Sequence, residues 1–206
     1  MPMHRSLFPL IVVLALLLPS LAGANDRAAA FEAERRWFLG IGGATSQSRF
    51  RADSAAGGNT NSLSDTPVLR IGRYGRPARY GIDLMRVRYD EAEVWYNTAF
   101  LDYVIPGGEI FSGYAGLALG WGHLRWRRDS LLGGDLDFNA RGENTTSWLA
   151  GLRFGGLIEV TELVQVEIGY RYLFTDFSDR FSADGERVTV EGTNQRAVHA
   201  GVNFRF

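Results

Sequence analysis

The amino-acid sequence predicts an all-β chain: an eight-stranded antiparallel up-and-down transmembrane β-barrel with a side-chain-filled polar interior. Three observations carry that prediction. After Arg36 the chain falls into eight segments of about ten residues in which apolar residues alternate with small or polar ones. The connections between the segments are mostly short and long by turns. The final segment stops at Phe206, with Val198, Ala200, Val202 and Phe204 at every second place before it.

The amino-terminal stretch is read separately from the barrel. Arg5 precedes an apolar run from Leu7 to Leu18, broken only by Pro9, and Ala22-Gly23-Ala24 supplies a small-x-small pattern. The run is shorter than the ~20 residues a spanning helix needs, and the pattern is that of a secretory signal cleaved after residue 24. Residues 25–35 form a polar lead-in, and residues 36–206 form the barrel domain. No later apolar run is long enough for a transmembrane helix. The chain has no cysteine, so neither a disulfide frame nor a Cys-ligated metal is expected. All 22 basic residues are arginine, which favours planar, bidentate contacts to carboxylate or phosphate. A net charge of −1 on an exported chain gives no bias toward nucleic acid.

The strands follow in order. The first, WFLGIGGAT, sets Trp37, Leu39 and Ile41 against Gly40, Gly42 and Ala44. The second sets Leu69 and Ile71 against Arg70 and Gly72, and the third sets Tyr80, Ile82 and Leu84 against Gly81 and Asp83. The upper half of the third is ambiguous, and a bulge that swaps its faces is expected near Arg86. The fourth opposes Trp95, Ala99, Leu101 and Tyr103 to Thr98, Phe100 and Asp102. In the fifth, Leu117, Leu119 and Trp121 oppose Gly116, Gly120 and Gly122. The sixth opposes Trp148, Ala150, Leu152 and Phe154 to Gly151 and Arg153; the seventh opposes Val166, Ile168, Tyr170 and Tyr172 to Glu167, Gly169 and Arg171. The eighth is the closing segment. Long polar connections are expected between strands one and two, five and six, and seven and eight.

Hairpin parity tests the scheme. Pairing Ile71 with Ile82 brings Arg70 opposite Asp83, and pairing Phe154 with Val166 brings Arg153 opposite Glu167. Opposite charges thus meet on the face away from the apolar one. Arg70, Asp83, Asp102, Arg153, Glu167, Arg171 and Arg205 form the expected interior charge network, because buried charges must be paired. Glycines share that face, as a crowded lumen needs; eight strands enclose only enough room for side chains. Trp37, Tyr80, Trp95, Tyr103, Trp121, Trp148 and Phe204 form the expected aromatic girdles at the two membrane boundaries.

With these features in place, the chain resembles the OmpA-type and OmpX-type eight-stranded barrels within the small outer-membrane barrel family. GYRYLFTDFSD and HAGVNFRF carry the resemblance in the final hairpin. It implies a location in the bacterial outer membrane. It also implies that Val198, Ala200, Val202, Phe204 and Phe206 act as a carboxy-terminal assembly signal, with the barrel-assembly machinery as a partner. No peptidoglycan-binding domain follows the barrel, so wall anchoring of that kind is not expected.

Other motifs are weaker. Asp135, Asp137 and Asn139 have calcium-loop spacing, but Ala140 stands where glycine is needed and Thr146 where a bidentate Glu is needed. No metal or cofactor is expected. Catalysis would need a nucleophile beside a His base; no such pair stands on one strand, a cross-strand Ser such as Ser147 near His123 is left open, and the chain is read as a non-enzyme. Arg125, Trp126, Arg127 and Arg128, just above the lipid boundary, are candidate contacts to lipopolysaccharide phosphates. The functional expectation is a monomer with a structural or surface-interaction role: outer-leaflet organisation, and adhesion or recognition of an extracellular ligand through long loops. The alternatives are a narrow solute pore gated by the internal charges and, third, a lipid A-modifying enzyme.

Overall fold

A computed structural model describes residues 37–53, 59–75, 77–89, 92–126, 144–183 and 186–206. The signal segment, the lead-in and the acidic Asp135–Asn139 motif lie outside the described residues. Those described form strands β1 (Trp37–Asp53), β2 (Asn59–Tyr74), β3 (Ala78–Arg88), β4 (Ala92–Pro106), β5 (Phe111–Trp126), β6 (Asn144–Glu159), β7 (Val164–Ala183) and β8 (Glu186–Arg205). Each pairs antiparallel with its sequence neighbour, and β8 returns to β1 to close the barrel. The closing ladder puts Ile41 opposite Val202 and Leu39 opposite Phe204. Trp37 and Phe206 exchange backbone hydrogen bonds, so the last residue has a partner in the sheet. The apolar end of the chain therefore completes the wall.

Alternation survives in β1 to β7, and in β8 it is interrupted once, by a bulge at Thr193 that swaps the inward face from Val190 and Gly192 to Gln195 and Ala197, because one face meets the lumen and the other the surroundings. Leu39, Ile41, Ile71, Ile82, Leu101, Leu119, Phe154, Ile168 and Val198 all point outward and are exposed. Their continuous band would not be stable facing water; it is the surface a bilayer covers. Leu119→Arg, in the middle of this band, is expected to destabilise the membrane-embedded barrel by about 2–4 kcal/mol, read as a lower urea midpoint in lipid vesicles.

The strands are longer than the alternation suggests. The β1–β2 ladder runs from Trp37 opposite Arg73 up to Arg51 opposite Asn59, and β7–β8 runs up to Ala183 opposite Glu186. Two of the three expected long loops are therefore mostly ladder. The signal is lost there because the outer face turns polar (Thr45, Gln47, Arg49 and Arg51 on β1) while the backbone keeps its pairing. The β3–β4 ladder stops lower, at Arg88 opposite Glu93, so the rim is tall along β7, β8, β1 and β2 and low beside β3 and β4.

Two register expectations meet different outcomes. Strands β2 and β3 pair Ile71 with Ile82 and Arg70 with Asp83, as their compact turn dictates. Strands β6 and β7 instead pair Phe154 with Tyr170, which sets Arg153 opposite Arg171 and Leu157 opposite Glu167. The turn between paired Glu159 and Gln165, residues 160–164, is longer than a Phe154–Val166 pairing allows. Thr161 Oγ1 accepts from the backbone N–H groups of Leu163 and Val164, and the N–H of Val160 donates to the Val164 carbonyl at 3.0 Å. Parity is kept, so every side chain stays on its expected face. The bulge expected near Arg86 is absent: Met85, Val87 and Tyr89 continue inward, all buried.

Candidate functional site

The lumen is the most chemically distinctive part of the molecule, and it is filled in two layers. The lower one, nearer the short turns, is ionic. Arg70 (β2), Arg79 and Asp83 (β3), Asp102 (β4), Arg153 (β6), and Glu167 and Arg171 (β7) are all buried there. Each comes from the inward parity of its strand, which is why residues far apart in sequence converge.

Glu167 is the hub. Arg79 grips it bidentately at 2.7 and 3.0 Å, Arg70 forms an ion pair with it, and Arg153 approaches at 3.4 Å. The Tyr114 hydroxyl donates to it at 2.9 Å, the Asn203 amide at 3.0 Å, and His199 Nε2 lies 3.0 Å away. Asp83 takes a second bidentate grip from Arg70 at 2.5 and 3.0 Å, with Arg153 at 3.1 Å. Asp102 accepts from Arg79 Nε at 2.9 Å and forms an ion pair with Arg153 at 3.0 Å. Four guanidiniums thus share three carboxylates, and the aromatic walls take the remaining faces: Arg153 stacks 4.0 Å from the Phe100 centroid and Arg79 4.2 Å from that of Tyr114. Burying so many charges is tolerable only because each carboxylate is paired with guanidiniums, although Asp102 Oδ1, Arg153 Nε, Arg171 Nε and His199 Nδ1 make no hydrogen bond.

Glycine makes the room. A Cβ on Gly169 would lie 2.7 Å from the His199 ring, and one on Gly72 would lie 2.6 Å from the Phe38 ring. Phe38 packs on Tyr74 with centroids 5.1 Å apart. The Tyr74 hydroxyl donates to Gln165, and the Gln165 amide donates to Glu159. A cavity of about 10 Å³ beside Arg70, His199 and Asn203 has room for about one water.

The upper layer is mainly apolar, with Ser46 bonded to Tyr89 and Gln195 within it, which the expectation of a polar interior throughout did not include. Phe50, Met85, Val87, Tyr89, Val94, Tyr96, Leu124, Trp126, Leu149, Leu173, Phe177 and Val190 form one buried cluster. Trp126 sits in it edge-on to Phe50 and donates its indole N–H to Asp179 at 2.6 Å.

The expected site residues divide accordingly. Six of the seven network residues converge as described. Arg205 does not join them; it lies at the short-turn mouth, paired with Glu159 and donating to the Thr161 carbonyl. Arg79 was missed, although it shares the inward parity of Gly81 and Asp83. Trp126 is corrected from a membrane-surface contact to a core residue, since it continues the inward series Gly120, Gly122, Leu124. Arg125 is outward and exposed, whereas Arg127 and Arg128 lie outside the described residues. Trp37, Tyr80, Trp95, Trp121, Trp148 and Phe204 are outward and exposed, and Tyr103 is half-buried. Ser147 and His123 do not meet. His123 faces outward with Nδ1 3.0 Å from Thr146 Oγ1, whereas Ser147 has the opposite parity and donates to the Asp176 carbonyl. Among the described residues no cluster of His, Cys, Asp or Glu is arranged to hold a metal.

No protein-family model matches the chain, and no curated protein matches it in sequence. Solved structures do. Neisserial surface protein A superposes with a TM-score of 0.59 at 19% identity, covering 82% of this chain and 97% of that one. The chain has the fold of the small eight-stranded outer-membrane barrels. Ail, the attachment invasion locus protein of Yersinia pestis, aligns at a TM-score of 0.49 and 16% identity, over 84% of this chain and 99% of that one. OprG from Pseudomonas aeruginosa aligns at 0.48 and 13%, over 83% and 96%. At these identities the likeness concerns the fold.

Proposed function

We propose that this protein is a monomeric barrel of the bacterial outer membrane that conducts nothing and works at its surface. It helps organise the outer leaflet and offers an extracellular ligand the tall rim built by β7, β8, β1 and β2. The observation that carries the reading is the doubly blocked lumen, with Glu167 and its arginines below and the Trp126 cluster above. A gated pore would need a water path past both layers. Chemistry on lipid A would need a nucleophile beside a base, and the Ser147–His123 candidate is split between two faces. The barrel-assembly machinery remains the proposed partner during biogenesis, recognising Val198 to Phe206 before that strand pairs with β1.

Planar-bilayer recording tests the reading. The purified chain is expected to insert without stepwise current at 100 mV; discrete openings of uniform size would instead support the narrow solute pore.

A further inference from the structure

We propose that the outward rim of β3, β4 and β5 is a binding site for the phosphorylated headgroup of an outer-leaflet lipid. The inference rests on the membrane-embedded reading above, and it locates on the barrel wall where one anionic lipid is held.

The outward rows across β3, β4, β5 and β6 change character in order up the wall. The ladders align Ile82, Ala99, Leu119 and Ala150 in one row, and Leu84, Asn97, Trp121 and Trp148 in the next. Above these come Arg86, Trp95, His123 and Thr146, and then Arg88, Glu93, Arg125 and Asn144. Successive outward rows lie about 7 Å apart along a strand. Within three rows the wall thus passes from aliphatic to aromatic to cationic, the sequence of environments from acyl chain through interface to phosphate.

The cations are pre-arranged. Glu93 accepts from Arg86 Nε at 2.8 Å and from the Trp95 indole N–H at 3.0 Å, and it lies 3.6 Å from Arg88 Nε. Arg86 also stacks over Trp95 at 5.0 Å. Arg88 and Arg125 flank Glu93 as its cross-strand neighbours on either side. The Glu93 side chain is only 17% exposed, whereas those of Arg86 and Arg88 are 38% and 58% exposed. The carboxylate therefore anchors Arg86 through its Nε, while the Arg86 and Arg88 side chains stay partly exposed and can fork onto phosphate oxygens. Among the described residues of these two rows, three arginines stand against one glutamate. The same level on β1 and β2 has a different character: Thr45 donates to Asp65 there at 2.6 Å, a pair that would repel an anion. The site is thus confined to the low side of the rim.

The test is native mass spectrometry of the full chain in detergent micelles. The probe is diphosphoryl lipid A, with phosphatidylcholine as the neutral arm and inorganic phosphate as competitor. The wild type is expected to retain lipid A in preference to phosphatidylcholine, and millimolar phosphate is expected not to displace it. The triple variant R86Q/R88Q/R125Q is expected to lose about tenfold or more in retained lipid A. R49Q/R51Q, on the tall wall, is expected to behave as wild type. Heat-modifiable gel migration confirms that each variant has folded. Equal retention by the triple variant, equal loss in R49Q/R51Q, no preference over phosphatidylcholine, or displacement by free phosphate would each overturn the site. Failure of the wild type to insert into phosphatidylcholine vesicles would instead overturn the membrane reading itself.

Discussion

Glu167→Leu is expected to be the most damaging single change in this protein, lowering barrel stability by about 3–5 kcal/mol. The magnitude follows from what is left behind. Arg70, Arg79 and Arg153 all reach Glu167, and without it four buried guanidiniums face only Asp83 and Asp102. Tyr114, His199 and Asn203 lose the same acceptor. None of these groups can turn toward water, since each is buried. Urea unfolding in lipid vesicles, followed by tryptophan fluorescence and gel mobility, measures the loss. Glu167→Gln keeps the shape and removes only the charge, so its cost isolates the ionic part. Combining Glu167→Gln with Arg79→Met should recover part of that cost, because the excess cation leaves with its partner. A double variant as unstable as the sum of the two singles would mean that the carboxylate and guanidinium do not act as a pair.

Much of this network is legible in sequence, and the reason is the two-residue period of a strand. Once Leu69 and Ile71 are placed outward, Arg70 has only the lumen to face, and the tight turn after β2 fixes Asp83 as its partner. The same logic holds for Arg153, Glu167 and Arg171 even though their hairpin register shifts, because a shift that preserves parity leaves every residue on its face. Long arginine side chains then span the displacement: Arg153 still reaches Glu167 without standing opposite it.

What sequence did not reveal has equally physical causes. Arg79 stands at the head of the third strand, one residue before the Tyr80–Leu84 alternation that sets the faces, yet it makes the bidentate contact at the centre of the network. The height of the β7–β8–β1–β2 wall is hidden because strands above the membrane lose their apolar outer face while keeping their ladders. The mainly apolar upper layer is hidden for the converse reason. Val87, Tyr89, Val94 and Tyr96 look like either face of a strand when the outward residues between them, Arg86, Arg88, Glu93 and Trp95, are charged or aromatic.

Trp126→Ala separates these accounts and is expected to have the second-largest effect, a loss of about 3–5 kcal/mol from the cavity it leaves. Its indole fills the lumen against Phe50, and its N–H is bonded to Asp179, which would lose that donor. Loss of a membrane-surface tryptophan would instead weaken lipid contact and leave core stability nearly unchanged. Trp126→Phe should restore most of the packing and none of the hydrogen bond, landing between the two. Neither variant is expected to conduct ions in planar bilayers, because the Glu167 layer still fills the lumen beneath. If Trp126→Ala alone opened a steady current, the lower layer could not be a seal, and the charges there would have to be read as the lining of a pore.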